Sequence, residues 1–334
     1  MFFWAALSVL GSASDEDGAV YIDHTYRTQF QVESADRVIS FIRCEFLSCR
    51  ASRDYGQDSG GAISVDKPRT NYKLRLMSSI FIDCSAEVQG GAIYFEGINC
   101  TMYMVQFMRS RLESGSMGVA FFIGGSTSIN VSEISHSTSK HGSRNMFIGL
   151  GTQITNNVNE TDASVDGQGG LGEYYKPADL SIRFCLVQNN RASSLITCSN
   201  FMTYEPLCQY ILFANNSVKE LFHFRLNRLF FSSCIFLNNS YTRIATSRNS
   251  KITIELSVFD AKQEQCDGVA LKNNKYTAAS TFAIPVITIK HTNTPRQQPH
   301  KSYIWLIVIP MGALVCALFT ARLRGRKRIL PLHF

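Results

Sequence analysis

Few residues in the chain have the types and spacing that chemistry needs. Gly-Gln-Gly-Gly-Leu-Gly at 167–172 echoes a dinucleotide loop, in which N–H groups at a helix N-terminus cradle a pyrophosphate. No strand-to-helix context surrounds it, so it reads as a surface loop. Asp162 and Asp166 flank Ala-Ser-Val in the same Gly/Asn-rich stretch and could offer oxygens to Ca²⁺, but a solvated loop is the simpler account. His141, in His-Gly-Ser, reads as an exposed loop histidine. The aspartates Asp23, Asp36, Asp54, Asp58, Asp66, Asp83, Asp179, Asp260 and Asp267 are scattered, whereas glycoside hydrolysis needs two carboxylates flanking one bond. No Cys-x-x-Cys pair with histidine companions points to zinc. The expectation is a chain with no catalytic residue, metal or cofactor.

Composition narrows the class. Hydrophobic residues make up 45% of the 334 positions and charged ones 18%, which excludes a disordered chain. Phe (23) and Tyr (13) far outnumber Pro (8), and with abundant Ser, Thr and Asn they favour short strands and turns. Of the formal net charge of +7, five charges are Arg322, Arg324, Arg326, Lys327 and Arg328. The rest of the chain is nearly neutral and offers no footprint for a nucleic acid.

Two ends point to a membrane. Residues 303–321 are 19 positions without a charge, enough at ~1.5 Å per residue to span a ~30 Å hydrocarbon core. The basic run that follows, within 322–334, reads as a stop-transfer flank held in the cytosol. The apolar run 2–10, with Gly11 and Ala13 after it, reads as a signal segment over 1–13. The expectation is a single-pass type I plasma-membrane protein with an ectodomain over 14–290, a stalk over 291–302, a transmembrane helix over 303–321 and a cytosolic tail. Sequons make Asn99, Asn130, Asn159, Asn215 and Asn238 glycosylation candidates. Cys44, Cys49, Cys84, Cys100, Cys185, Cys198, Cys208, Cys234 and Cys266 fall in the ectodomain and Cys316 in the span. That odd ectodomain number leaves at least one thiol without an intrachain partner even where disulfides form.

The architecture that must carry these residues is spelled by a repeat. Phe81 is followed by Cys84 and by Gly90-Gly91-Ala92-Ile93; Phe107 is followed at the same intervals by Ser110 and by Ser116-Met117-Gly118-Val119. Phe259, Lys262 and Gly268-Val269-Ala270-Leu271 fit the same ruler, and Phe46, Cys49 and Gly60-Gly61 fit it with five extra residues. Half copies run Leu186–Asn189, Phe213–Asn216 and Phe236–Asn239, with Phe213, Phe236 and Phe259 spaced by 23. A unit of 20-odd residues is too short for a sandwich domain and has the size of one rung of a β-solenoid. Inward positions of such rungs stack about 4.8 Å apart. Phe81 is then expected over Phe107, and Phe213 with Phe236 and Phe259. Asn189, Asn216 and Asn239 are expected to form an amide ladder, and Cys49, Cys84 and Ser110 a column of small side chains. Alternation turns Asn215 and Asn238 outward. Gly60, Gly61, Gly90 and Gly91 mark a corner that needs little bulk and a positive φ.

The joint occurrence of Gly-Gly-Ala-Ile (60–63, 90–93) with Phe-x-x-Asn (213–216, 236–239) resembles the repeats of chlamydial polymorphic membrane proteins and of related surface proteins expanded in trichomonad protists. The resemblance covers about 38–290. It implies an all-β, right-handed parallel β-helix of the pectin lyase-like kind, displayed at a cell surface. Adhesion is the function it implies, with host-cell or matrix glycans or proteins as partners. The bacterial family ends in a membrane β-barrel, whereas this chain ends in an apolar segment and a basic tail. Parallel β-helices also include pectate lyases and polygalacturonases, which makes a membrane-tethered carbohydrate-active enzyme the alternative and a passive surface coat the third reading. Asn-Thr-Asp, Asp-Asp and Arg-Ile-Lys motifs of the polygalacturonase kind are absent. Carboxylates clustered on adjacent rungs would favour the enzyme; a polar or aromatic stripe along one face would favour binding.

Overall fold

One coil shows the plan of the protein. Lys73–Met77 forms a first face, Ile80–Ile82 a second, Ser85–Ala86 a short corner strand, and the start of Ile93–Tyr103 a third face. The same long strand passes a shallow corner at Gly97 and becomes the first face of the next coil, where Asn99–Tyr103 pair in parallel with Lys73–Met77. A computed structural model describes residues 18–31, 38–51, 59–65, 72–115, 118–140, 145–166, 170–199, 206–225, 228–248, 251–260 and 269–276. All but Tyr276 fall in one compact unit, Met1–Lys275; of a second, Tyr276–Phe334, only Tyr276 is described. Among the described residues the fold is an all-β parallel solenoid. The signal segment at 1–13, the stalk at 291–302, the helix at 303–321, the tail at 322–334, His141, Cys266 and Cys316 lie outside the described residues. Among those described, no helix is long and apolar enough to cross a membrane.

The coils are held in register by their second faces. Successive pairings run Tyr26–Phe46–Phe81–Phe107–Ile134–Glu160–Val187–Phe213–Phe236–Phe259. Phe46, Phe81 and Phe107 stack at 4.5 and 4.9 Å between centroids, and Phe213, Phe236 and Phe259 at 5.0 and 4.5 Å. Full burial of each ring stabilises by roughly 3 kcal/mol, and a lone rung could not bury it. The stretch between Phe107 and Phe213 continues the column through Ile134, Glu160 and Val187. The expected member Leu186 is therefore displaced by its neighbour Val187, and Asn189 by Asn190. Two adjacent apolar residues beside two adjacent asparagines hide a one-residue slip, which in a strand exchanges inside for outside.

The repeat acquires a physical meaning at its turns. Between the first and second faces each coil places one residue at positive φ: Asp23, Arg43, Ser78, Met104, Val131, Asn157, Phe184, Tyr210, Ser233, Leu256 and Asn273. Between the second face and the corner strand it places another: Ser48, Asp83, Arg109, His136, Asp162, Asn189, Asn215 and Asn238. The N–H of the turn residue donates to the next coil, as in Ser78 N to Tyr103 O at 2.9 Å, and the residue after it is turned inward. Cys49, Cys84 and Ser110 are all fully buried there. Phe-x-x-Asn thus spells an inward ring, a second buried residue (Ala214 or Leu237), a left-handed turn and an inward amide. The sequence pattern was a turn motif as much as a strand motif.

Gly-Gly-Ala-Ile opens the third face. Gly60, Gly90 and Gly118 have φ of 68°, 57° and 68°, and Ile63, Ile93 and Ala120 pair across three coils. The second glycine is required by proximity: a Cβ on Gly61 would lie 2.2 Å from Gly91 O, and one on Gly91 2.3 Å from Arg111 O. Gly91→Ala is expected to lower stability by about 3 kcal/mol, since only backbone could yield; thermal unfolding of the purified chain measures it. The copy at 268–271 corrects the expectation. Val269–Lys272 pairs with Ile252–Glu255 on the first face, not with the third-face strands that begin Ile63, Ile93 and Ala120.

Candidate functional site

The outward side of the first face carries an ordered polar surface. On Ile93–Tyr103, alternation leaves Asn99, Thr101 and Tyr103 exposed while Cys100 and Met102 are buried. Register carries the same three positions across the following coils. Asn99 is followed by Ser126, Thr152 and Asp179; Thr101 by Ser128, Ile154 and Ser181; Tyr103 by Asn130, Asn156 and Arg183. These groups stand on a grid of about 4.8 Å between coils and about 6.6 Å along each strand. Asn130 Nδ2 donates to Ser128 Oγ at 2.8 Å, and Asn156 Nδ2 donates to Asn130 Oδ1 at 3.3 Å, so the outer row is itself laced. Gln153, facing inward, anchors the corner by donating to Leu150 O and Tyr175 O at 3.0 and 3.3 Å. Hydroxyls, amides, one carboxylate and one guanidinium at fixed spacing, interrupted by Ile154, can hold a polar polymer. They include no nucleophile with a base beside it.

A second cluster lies on the third face. Glu220, 4% exposed, faces His223 Nδ1 at 2.8 Å through one carboxylate oxygen and accepts from Arg243 Nε at 3.2 Å through the other. Ser194 and Arg243 flank Glu220 in register, and Thr197 lies beside His223 on the preceding coil. A carboxylate that fixes one ring nitrogen orients the other as a proton acceptor, which is the arrangement of a general base. Sequence reading missed this cluster. The signal was present in the interval from Glu220 to Arg243, which equals the interval from Phe213 to Phe236.

The sequence candidates are distributed rather than gathered. Asn215 and Asn238 are exposed turn residues, and Asn99 is exposed on the first face. Asn130 is half-buried in the laced row. Asn159 is 9% exposed and pairs in register with Glu133 and Leu186. Asp162 is an exposed turn residue 3.9 Å from His136, and among the described residues no group of three or more His, Cys, Asp or Glu side chains could hold a metal ion. None of the eight described cysteines is in a disulfide. Burial pushes the thiols of Cys185 and Cys234 up to about 12 and those of Cys198 and Cys208 well up, so all four stay protonated. They serve as small apolar fillers. No protein-family model matches the chain, and no curated protein matches it either.

Proposed function

We propose that the chain is a cell-surface interaction protein that binds its ligand along the outward side of the first face. The observation that carries this reading is the in-register grid from Asn99 and Thr101 to Asp179 and Arg183. It is a polar stripe continued over successive coils, the pattern that favours binding over chemistry. In this reading the solenoid is right-handed, and 1–13 directs it to the secretory route. The apolar segment 303–321 anchors it as a type I plasma-membrane protein, and the likeness to polymorphic membrane protein repeats adds adhesion as its role. The test is binding of the purified chain to a glycan array and to cultured host cells. Thr101→Arg combined with Ser128→Arg is expected to reduce binding at least tenfold by filling the grid. Equal binding by that double variant would move the function off this face.

A second reading, a membrane-tethered carbohydrate-active enzyme, is favoured by Glu220 and His223. It requires that reducing ends be released from a bound polysaccharide and that Glu220→Gln abolish the release.

A further inference from the structure

The corner beside the grid points to a ligand class, an inference that rests on the binding reading above. Phe184 and Tyr210 occupy the left-handed turn on successive coils, with φ of 55° and 56°. Their rings stack at 5.0 Å between centroids and 7° between planes, and both are half-buried. Bulky side chains rarely accept this backbone region, whereas Asn does so readily. The same ladder holds Asn157 one coil earlier and Ser233 one coil later, with Met104, Val131 and Leu256 further along; two aromatic rings on successive coils occur only at Phe184 and Tyr210 among the described residues. Neither ring joins the solenoid's hydrophobic core, so packing within the fold does not explain the choice.

Two polar atoms beside the pair give the second observation. Asn156 Oδ1 and Arg183 Nε are buried and have no hydrogen-bond partner among the described residues. Asn156 is paired in register with Arg183, and Arg183 with Gln209, so one orphan lies on the coil of Asn157 and the other on the coil of Phe184. An acceptor and a guanidinium N–H left unmet in this way each cost free energy that a ligand could recover. The stack has its outer faces along the ladder, and one of them looks toward Asn157, where the side chain is small.

We propose that this corner is a subsite for an acidic sugar residue. The apolar C–H face of the sugar continues the aromatic stack from Phe184 over Asn157. Its carboxylate accepts from Arg183, the residue best suited to a planar anion, and one hydroxyl donates to Asn156 Oδ1. A hexuronic acid and a sialic acid share this chemistry, and the test separates them.

Isothermal titration of the full chain with trigalacturonate, 3′-sialyllactose and neutral maltotriose is the experiment. One acidic probe is expected to bind, with maltotriose at least tenfold weaker. Phe184→Asn is expected to weaken that binding at least tenfold while raising the unfolding temperature, because Asn relieves the turn. Phe184→Tyr is expected to retain binding, and Arg183→Gln to erase the preference for the acid. Unchanged affinity in Phe184→Asn overturns the subsite and leaves the face reading intact. Equal binding of maltotriose overturns the acidic assignment. No binding of any probe, while binding to the array or to cells persists, overturns the sugar subsite alone.

Discussion

Asn216→Leu is expected to destabilise the solenoid by about 3 kcal/mol, although leucine has similar volume and suits a core. The reason is the number of backbone groups that one amide satisfies. Asn216 Nδ2 donates to Val187 O and to Asn239 Oδ1, both at 2.9 Å, and its Oδ1 accepts from Asn190 N at 3.0 Å. The link repeats on either side. Ala163 N donates to Asn190 Oδ1 at 2.8 Å, and Asn239 Nδ2 donates to Phe213 O at 2.9 Å. Leucine would leave the Asn190 N–H buried without an acceptor and would cut Val187 O from a donor, at ~1–3 kcal/mol for each group. The neighbouring Asn215 offers the control, because it is exposed and only its left-handed φ of 54° matters. Asn215→Ala is expected to cost about 1 kcal/mol. Chemical denaturation of the two variants separates them, and a loss under about 1 kcal/mol for Asn216→Leu would show that the ladder carries no load.

That contrast between adjacent asparagines also marks what the sequence could reveal. Phe81 over Phe107, and Phe213 over Phe236 and Phe259, were legible because large inward rings recur at the coil length and nothing else produces that spacing. Asn216 and Asn239 were legible for the same reason. Where the column passes through Ile134, Glu160 and Val187, the inward residue changes type at each coil, and only backbone pairing identifies it. Most second-face strands are two or three residues long, too short for alternation to fix a register by itself. Two turns per coil absorb Asn, Asp, Ser, Arg, His, Met, Val, Phe, Tyr and Leu at positive φ, so no residue type announces them. The polar grid of the first face was hidden for another reason. Asn99, Thr101, Ser126, Ser128 and Thr152 look like loop composition until register places them on one side of successive strands. Glu220 and Arg243 likewise become neighbours only when the local coil length is known.

Glu160 is the one carboxyl in the inward column, and it is expected to set the pH dependence of stability. Its neighbours in register are Ile134 and Val187, where other coils carry phenylalanine. It borders a small cavity of about 30 Å³, room for about one water, lined by Thr155, Tyr174 and Cys185 among others. Burial raises its pKa from 4.5 to about 7, and the donation from Asn145 Nδ2 at 2.6 Å opposes that only in part. The folded state therefore holds a proton that the unfolded chain releases above pH 4.5. Stability is fully present below pH 4.5, declines as pH rises toward 7, and levels off above it. The loss amounts to about 3 kcal/mol, from 1.36 kcal/mol per pKa unit. Glu160→Gln removes the titration and supplies an amide N–H where Asn145 Oδ1 has no donor among the described residues. The variant is expected to match the wild type near pH 4.5 and to exceed it by about 3 kcal/mol at pH 8. Urea unfolding at both pH values measures the difference. Parallel pH profiles for the two proteins would mean that Glu160 titrates as it does in the unfolded chain and that its burial is relieved by solvent entering the cavity.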